Sequence, residues 1–348
     1  MSIDTFMVLQ IGGIAFLVAL AVTGFARIAG LGDVPDHRSS HQRVTPTGGG
    51  LGIIAGLGAG IALAALLHQD RLFAQPGSAE KLASLLSLAF GMGLLGSIDD
   101  RHVVSSRIKF GLMIAICALA ANAVGSVTML PFQSDHIYLL WWSGLGGTIL
   151  WLFTVTNAVN FMDGINGLFG TSMAIASAAL CGLALKVGAP VTALLTGTLA
   201  AAICGFLPYN LRGKAAIFSG DCGSIFAAFL YAASVLFLVH EQPELRLLYS
   251  GPLLILPLLA DVLITLVRKA TRGIPLLAPH STHLYQRWAR ARKGHLGVTF
   301  IYAGAALLMA FVVHQTFARG TLGSMAGLGL MVGLSVCLYV IRSSSLPD

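Results

Sequence analysis

The sequence predicts an all-α polytopic integral membrane protein, and its composition, hydropathy and glycine content are the observations that predict it. Of its 348 residues, 56% are hydrophobic and only 10% are charged, and the mean hydropathy is +0.83. A soluble domain has about 25% charged residues, so this chain cannot cover a surface that faces water. The 41 glycines suit helices that pack closely in lipid. This composition excludes a soluble enzyme, a disordered chain and a nucleic-acid binder.

At about 20 residues per crossing, the apolar runs of the chain predict about eleven transmembrane helices. These predicted spans cover residues 6–26, 49–67, 82–98, 110–125, 137–155, 167–185, 190–207, 223–240, 250–267, 297–315 and 322–341. The sequence contains no duplicated half and no low-complexity tract. Residues 1–348 are therefore predicted to form a single transmembrane domain.

The distribution of basic residues predicts the orientation of these spans. Sixteen of the 21 Lys and Arg residues lie in loops after odd-numbered spans or in the C-terminal tail. Because cytoplasmic loops collect basic residues, the N-terminus is predicted to be periplasmic and the C-terminus cytoplasmic. The net charge of +7 then reflects membrane topology rather than a nucleic-acid partner. The first span lacks the basic N-terminal flank of a cleaved signal peptide.

Asp261 is the only one of the 14 acidic residues that lies within a predicted span. Ion-coupled transporters place ionisable groups near the middle of the bilayer. The other carboxylates of this chain lie outside the spans, which favours a membrane-interface enzyme; a multi-span transporter of an anionic solute is the alternative. We predict that Asp261 is a buried, hydrogen-bonded residue at the base of the active site of such an enzyme. Direct contact of Asp261 with a metal ion or a phosphate is the alternative.

Polar clusters follow the third and the fifth predicted spans. Asp99 and Asp100 are adjacent carboxylates, so they need cations nearby, either basic side chains at a solvated helix end or a metal ion. Asn157, Asn160 and Asp163 recur at a spacing of three, so on a helical turn they point the same way. Their oxygens suit a hard cation such as Mg²⁺, and a simple helix C-terminus is the alternative.

Two more clusters follow the seventh and the ninth spans. Asp221 lies between glycines at the start of a helix, where it is either an N-cap or a metal ligand. The loop after the ninth span contains His280, His283 and Arg287, side chains that bind phosphate oxygens. A basic segment that rests on anionic lipid is the alternative for this loop.

The loop after the first span belongs to the same predicted face and contains Arg38, His41 and Thr45. All five polar loops follow odd-numbered spans, so they share one face whichever way the protein is oriented. Carboxylates, amides, histidines and arginines on one face favour Mg²⁺-assisted chemistry on a phosphate. Mg²⁺ keeps few protein ligands and is completed by oxygens of the substrate, so the small number of carboxylates is sufficient.

These motifs resemble the polyprenyl-phosphate N-acetylhexosamine-1-phosphate transferases, which are of the glycosyltransferase family 4 type. The similarity rests on Asp99-Asp100, Asn157-x-x-Asn160-x-x-Asp163-Gly164, Gly220-Asp221-x-Gly223-Ser224 and the His-bearing loop after the ninth span. The motifs occur in the order of the family, between about residues 33 and 295. The members that initiate O-antigen synthesis are the most similar, because of the predicted eleven spans and the segments Arg38-Ser39-Ser40-His41 and His283-Leu284-Tyr285-Gln286-Arg287.

The resemblance implies transfer of an N-acetylamino-sugar 1-phosphate from a UDP-sugar to undecaprenyl phosphate in the bacterial inner membrane, with release of UMP. The product would be the first lipid-diphosphate-sugar intermediate of O-antigen or other surface polysaccharide synthesis. The implied cofactor is Mg²⁺, with Mn²⁺ as an alternative. The implied partners are the UDP-sugar, undecaprenyl phosphate and membrane lipid, without nucleic acid. The chain is compatible with an oligomer.

The resemblance also implies roles for individual residues. Catalytic roles are expected for Asp99, Asp100, Asp163 and His283. Metal binding is expected for Asp221 and Asn160. Substrate contacts are expected for Asn157, Gly164, Asn166, Arg38, His41, Thr45, His280 and Arg287. The corresponding loops would together form one active site on the cytoplasmic face.

Two features depart from the family pattern. Asn166 stands where the muramoyl-peptide enzyme has an Asp, and Tyr285 and Gln286 stand where many relatives have further histidines. The first difference implies different nucleotide contacts at Asn166, and the second argues against a muramoyl-peptide substrate. Two mechanisms are compatible with the sequence: direct in-line attack by the lipid phosphate, with Asp99 or Asp100 accepting any residual proton, and a covalent aspartyl-phosphate route.

Overall fold

A computed structural model shows a bundle of long apolar helices. It describes residues 5–30, 32–33, 45–72, 77–102, 104–132, 135–242, 244–271, 273–274 and 283–319, together with residues 329, 332–333 and 335–336. Of the expected site residues, Arg38, His41 and His280 lie outside this described part. Most of the eleventh predicted span, 322–341, lies outside it as well.

Twelve α-helices account for nearly all of the described chain. They are α1 (Thr5–Ala29), α2 (Gly49–Leu72), α3 (Ser78–Arg101), α4 (Ser106–Val124), α5 (Trp141–Phe161), α6 (Leu168–Val187), α7 (Pro190–Asn210), α8 (Gly220–Glu241), α9 (Ser250–Leu254), α10 (Leu256–Thr271), α11 (Leu284–Trp288) and α12 (Gly294–Phe317). A 3₁₀ turn, Leu245–Tyr249, precedes α9, and a π turn, Ala289–Lys293, precedes α12. The helical class is therefore confirmed.

Two short antiparallel hairpins interrupt the helices. Strand β1 (Gly32–Asp33) pairs with β2 (Thr45–Pro46), and β3 (Met129–Phe132) pairs with β4 (Asp135–Tyr138). The prediction that the fifth span begins at residue 137 is wrong, because residues 137 and 138 belong to β4. Apolar residues occur in strands as well as in helices, so apolarity alone does not distinguish the two.

Eight of the described helices are long and apolar enough to cross a membrane. A ninth candidate is the bent pair Leu245–Leu254 and Leu256–Ala270, whose halves meet at 72°. Pro257 lies just after the bend and has no N–H group to donate to Leu253, which explains why the helix breaks there. The protein is a multi-pass membrane protein. The count of eleven spans and the orientation of the termini stay predictions.

Helix α8 is the centre of the bundle. It packs against α2, α3, α5 and α7, and 94% of its most apolar 18-residue stretch is buried inside the protein. A helix that is hydrophobic on all sides is stable only where other helices surround it. The first turn of α8 carries Asp221, so this packing places the residue among the ends of several other helices.

Candidate active site

The polar loops predicted to share one face do meet at one end of the bundle. The N–H group of Phe218 donates to the carbonyl of Pro46 at 2.8 Å. The N–H groups of Gly49 and Gly50 donate to the carbonyls of Phe218 and Ser219, both at 2.9 Å. These bonds tie the start of α2 to the segment that leads into α8. Thr45, an expected substrate contact, lies in this docked strand and is 8% exposed.

Small residues allow α3 and α8 to approach at the site. A methyl group added to Gly96 would lie 2.5 Å from the backbone C and O atoms of Asp221. Gly220 has a φ of +66°, a left-handed conformation that glycine adopts without strain. Side chains on Gly96 or Gly220 would collide with Asp221 and Asp100 respectively, so the contact between α3 and α8 requires small residues at both positions.

Asp100 caps the first turn of α8. Its Oδ1 accepts a hydrogen bond from the N–H group of Asp221 at 2.8 Å, and its Oδ2 accepts from that of Cys222 at 3.1 Å. N-terminal N–H groups of a helix have no partner within the helix, and a carboxylate satisfies them well. Both oxygens of Asp100 thus hold the backbone that carries Asp221.

Asp99 faces a different group, the side chain of Lys109 in the first turn of α4. The Lys109 ammonium donates to Asp99 Oδ2 at 2.7 Å and also forms an ion pair with Asp221 Oδ2. The backbone N–H of Val104 donates to Asp99 Oδ1 at 2.8 Å. Lys109 is 9% exposed, so one buried cation joins two of the expected site carboxylates.

Lys109 is a candidate functional residue that the motif analysis missed. In the sequence it is one of several basic residues after the third span, where a positive charge is already expected from topology. In the structure α4 begins at Ser106, so Lys109 lies inside this candidate span although it precedes the predicted run 110–125. Its place between Ile108 and Phe110 is the sequence signal that could have distinguished it. A lysine inside a membrane span is expensive unless it is paired, and paired lysines there are frequently functional.

The Asn–Asn–Asp motif at the end of α5 faces the serines that flank Asp221. Ser224 Oγ donates to Asn160 Oδ1 at 2.8 Å, and Ser219 Oγ donates to Asp163 Oδ2. Burial raises the pKa of Asp163 well above its ordinary value, and the negative charges of Asp221 and Asp100 raise this pKa further. Asp163 therefore needs an additional positive charge nearby to be stable as a carboxylate.

Asn157 lies one turn deeper on the same helix and is 6% exposed. Its Nδ2 donates to the carbonyl of Phe153 at 2.8 Å. Within the described part of the chain, no group donates a hydrogen bond to its Oδ1. A buried amide oxygen without a donor is costly in the free protein, so Asn157 fits a role as an acceptor for a bound ligand or its water.

Asn166 lies in the turn after the motif and is used by the protein itself. Its side-chain Nδ2 donates to the carbonyl of Arg212 at 2.8 Å, and its backbone carbonyl accepts from Thr299 Oγ1 at 2.7 Å. The side chain of Asn210 in turn accepts from the N–H of Gly167 at 2.7 Å. Asn166 thus connects the turn to α7 and α12, and Asn210 and Thr299 are supporting residues that the sequence analysis did not identify.

The segment after the ninth span packs against the other side of the same motif. His283 and Arg287 are 2% and 5% exposed. The His283 ring stacks against those of Phe161 and Tyr285, with centroid distances of 6.2 and 5.9 Å. A side chain on Gly164 would collide with Tyr285 Oη. The expected site residues Gly164 and His283 are therefore neighbours of the Asp163 turn, and Arg287 is buried one turn further along α11, where its N–H donates to the His283 carbonyl at 3.0 Å.

Asp261 is buried and hydrogen-bonded, as the sequence predicts. It is 4% exposed, and it accepts from the N–H groups of Leu284 and Tyr285 at 2.9 and 3.0 Å and from Tyr302 Oη at 2.6 Å. Its contacts within the described chain are thus protein donors at the base of the His283 segment.

The donor set of the site is rich in oxygen. In the described ranges, no group of three or more His, Cys, Asp or Glu side chains converges as a complete metal site. Two carboxylates, those of Asp99 and Asp221, do converge on the ammonium group of Lys109. The side-chain oxygens of Asn160 and Asn157 lie on the facing helix α5. Hard divalent cations accept this type of partial oxygen shell when substrate oxygens complete it.

Comparison with known proteins agrees with these motifs. The sequence profile of glycosyl transferase family 4 matches residues 82–239, which run from α3 through α8 and include the Asp99, Asp163 and Asp221 motifs. A probable undecaprenyl-phosphate N-acetylglucosaminyl 1-phosphate transferase of Bacillus subtilis is 29% identical over 83% of this chain and 79% of that protein.

Two other relatives extend the comparison. A decaprenyl-phosphate N-acetylglucosaminephosphotransferase of Mycolicibacterium smegmatis is 28% identical over 94% of this chain and 87% of the relative. A phospho-N-acetylmuramoyl-pentapeptide-transferase of an Arthrobacter species is 31% identical over 79% of this chain and 88% of the relative. The matched profile, these relatives and the convergence of the motif loops agree. The chain belongs to glycosyl transferase family 4, among the polyprenyl-phosphate N-acetylhexosamine-1-phosphate transferases.

Proposed function

We propose that this protein transfers an N-acetylamino-sugar 1-phosphate from a UDP-sugar to undecaprenyl phosphate and releases UMP. The observation that carries the proposal is the junction of Asp99, Lys109 and Asp221, where three helices bring two carboxylates and one cation together. Phosphoryl transfer is mainly a matter of positioning and charge neutralisation, and a site of this composition supplies both. The names of the relatives support the same reaction class.

The proposed cofactor is Mg²⁺, with Mn²⁺ as an alternative. Asp221 and Asn160 would hold it, and Asp163 would support it through the hydrogen bond from Ser219. No group in the described part of the chain donates to the buried Oδ1 of Asn157, and the pKa of Asp163 is raised. Both observations fit a site that is completed by a cation. When bound, the ion neutralises charge on the diphosphate of the sugar nucleotide.

In this proposal an oxygen of the lipid phosphate attacks the phosphorus atom that is linked to the sugar. The new P–O bond forms as the bond between that phosphorus and the bridging oxygen breaks, and UMP leaves with the bridging oxygen. The lipid phosphate is already anionic near neutral pH, so little base assistance is required. Asp99 or Asp100 would accept any residual proton; the oxygens of Asp99 accept hydrogen bonds from Lys109 and Val104, and those of Asp100 accept from the α8 backbone.

The sugar is proposed to be N-acetylglucosamine or a deoxy relative such as N-acetylfucosamine or N-acetylquinovosamine. The names of two relatives specify N-acetylglucosamine, and that of a third specifies a muramoyl-pentapeptide. The Asn166 amide, which donates to the Arg212 carbonyl, distinguishes this chain from the Asp expected for a muramoyl-peptide enzyme. We propose that the product enters O-antigen or other surface polysaccharide synthesis, with the polar loops on the cytoplasmic side of a bacterial inner membrane.

The test is incubation of the purified protein with undecaprenyl phosphate, Mg²⁺ and a panel of UDP-N-acetylamino sugars. UMP release and the mass of the lipid product are measured together, with Asp221→Asn as the inactive control. We expect equal amounts of UMP and lipid-diphosphate sugar with one sugar of the panel. Uptake of the sugar nucleotide into proteoliposomes without UMP release would instead indicate the transporter alternative.

A further inference from the structure

We propose that Asp261 is a positioning residue that holds both the His283 segment and the Asp163 turn in place for the reaction. This inference rests on the proposed function for its catalytic consequence. The structural link itself is independent of which substrate is used. It runs from Asp261 in α10 through the backbone of α11 to Tyr285, and from the Tyr285 side chain to the end of α5.

The first step is the bond between Asp261 and α11. Asp261 Oδ1 accepts from the N–H of Leu284 at 2.9 Å, and Oδ2 accepts from that of Tyr285 at 3.0 Å. Tyr302 Oη donates to the same Oδ2 at 2.6 Å, and Thr265 Oγ1 lies 3.3 Å from Oδ1. One buried carboxylate thus receives donors from α10, α11 and α12.

A carboxylate can accept hydrogen bonds at both of these positions, and an amide cannot. Asp accepts at both oxygens, whereas Asn has one acceptor oxygen and a donating NH₂ group. In Asp261→Asn one of the two positions would turn a donor towards the N–H of Leu284 or Tyr285. A buried donor that faces another donor loses its hydrogen bond and leaves both groups unsatisfied.

The second step brings the Asp261 carboxylate beside the imidazole of His283. Its Nδ1 lies 3.5 Å from Asp261 Oδ1, and its ring stacks against those of Phe161 and Tyr285. A carboxylate beside one ring nitrogen sets the orientation of the other nitrogen. Because His283 is 2% exposed, water screens its interaction with the Asp261 carboxylate only weakly.

The third step crosses to the motif of α5. Tyr285 Oη donates to the carbonyl of Phe161 at 2.8 Å, and it occupies the space that a side chain on Gly164 would need. Phe161 and Gly164 flank the turn that carries Asp163, which accepts from Ser219 beside Asp221. A shift of Tyr285 would therefore move the turn on the opposite side of the site.

The experiment measures backbone exchange and turnover in the same purified variants. Hydrogen exchange followed by mass spectrometry reports the amides of residues 283–288 and 161–167. Steady-state UMP release gives kcat and KM for the UDP-sugar, and the melting temperature in detergent reports overall stability. The variants are Asp261→Asn, Tyr302→Phe, which removes one donor to the carboxylate, and Tyr285→Phe, which removes the hydroxyl that donates to Phe161 and keeps the backbone N–H that donates to Asp261.

Glu241→Gln is the matched control, because Glu241 is also a buried carboxylate that caps a helix. It accepts from the N–H groups of Val191 and Thr192 at 2.9 and 2.8 Å and from Thr192 Oγ1 at 2.6 Å, at the other end of the bundle. Glu241→Gln should speed exchange at the start of α7. It should leave exchange at 283–288 and kcat at the wild-type level.

We expect Asp261→Asn to speed exchange in both segments and to lower kcat about tenfold or more, the usual loss when a group that orients an active-site ligand is removed. Its KM should change less than its kcat, because the defect lies in alignment. Tyr302→Phe should have a smaller effect of the same kind. Tyr285→Phe should speed exchange at 161–167 while the amides of Leu284 and Tyr285 stay protected.

Wild-type kcat in a folded Asp261→Asn protein with faster exchange at 283–288 would overturn the positioning role. Unchanged exchange at 283–288 in this variant would overturn the anchoring itself. A kcat loss in Glu241→Gln as large as that of Asp261→Asn would reduce the effect to general loss of stability. If the wild type releases no UMP with any sugar, the proposed function fails, and the exchange data still decide the structural link.

Discussion

The ammonium group of Lys109 lies 2.7 Å from Asp99 Oδ2, and the side chains of Lys109 and Asp99 are only 11% and 17% exposed. The same ammonium pairs with Asp221, so the lysine joins the end of α3 to the start of α8. Coulombic attraction is strong where water is largely excluded. Asp221, the expected metal ligand, is therefore already held by a cation of the protein, which sets its position before a substrate binds.

Replacing Lys109 by Met should abolish most turnover. Asp99 and Asp221 would then face each other without the shared cation, and removing one partner of a buried ion pair leaves an uncompensated charge. We expect a loss of at least about a hundredfold in kcat, as for other electrostatic elements of catalysis. Lys109→Arg retains the charge and should lose less. Equal activity of Lys109→Met and wild type in the UMP assay would exclude this role.

Asp221→Asn should lose at least about a hundredfold in turnover, because a neutral amide replaces the carboxylate that is expected to bind Mg²⁺. The fold should persist, since the Asp100 carboxylate caps the backbone N–H of residue 221 and not its side chain. UMP release across an Mg²⁺ titration measures the effect. Glu80→Gln, an exposed carboxylate in the first turn of α3, serves as the control. Near-normal turnover of Asp221→Asn at low Mg²⁺ would reassign Asp221 to a purely structural role.

Gly96→Ala should disturb the site although it adds a single methyl group. The methyl carbon would lie 2.5 Å from the Asp221 backbone, so α3 and α8 would have to separate. We expect lower kcat and a lower melting temperature. Gly91→Ala on the same helix is the control, because its nearest neighbour is Ile116 Cδ1 at 3.9 Å. If both variants behave alike, the contact between Gly96 and Asp221 is not a constraint.

Asn166→Asp should destabilise the protein more than Asn166→Ala does. The aspartate would place an acceptor against the Arg212 carbonyl, which now accepts from Asn166 Nδ2 at 2.8 Å. An unsatisfied buried polar group costs about 1–3 kcal/mol, and the Asp variant adds repulsion to this loss. Thermal unfolding in detergent compares the two variants. A more stable Asp variant would show that the pocket can supply a donor.

Cysteines introduced at Ser106 and Gly213 should be labelled only from the cytoplasm, and a cysteine at Tyr138 only from the periplasm. All three positions are exposed, with Ser106 beside the Asp99 cluster, Gly213 beside Asn166 and Tyr138 in the β3–β4 hairpin. The basis is the excess of basic residues in loops after odd-numbered spans. The experiment uses intact cells, an impermeant reagent and a background without the native cysteines. Labelling of Ser106→Cys from outside would reverse the predicted orientation.

Much of the fold follows from local properties of the sequence. Ten of the predicted apolar runs correspond to described helices or to the bent α9–α10 pair, because about 20 apolar residues in lipid must satisfy their backbone groups within the segment. The exact start of α5 was not predictable. Ile137 and Tyr138 of β4 are as apolar as a helix end, and only the pairing with β3 decides their conformation.

The sequence by itself determined that the motif residues Asp99, Asn160, Asp163 and Asp221 share one end of the bundle. This follows from parity, since loops that are separated by an even number of spans must emerge on the same side. The spacing of three in the α5 motif is equally local, and it placed Asn160 and Asp163 towards the serines of α8.

Only the tertiary structure decided which partner each of these residues contacts. Asp99 and Asp100 are neighbours in the chain, yet one pairs with Lys109 and the other caps α8. Asp261 was predictable as a buried residue, but its donors on α11 and α12 were not. Hydrogen-bond partners depend on atoms that approach within about 3 Å, and helix packing sets these distances between residues far apart in the chain.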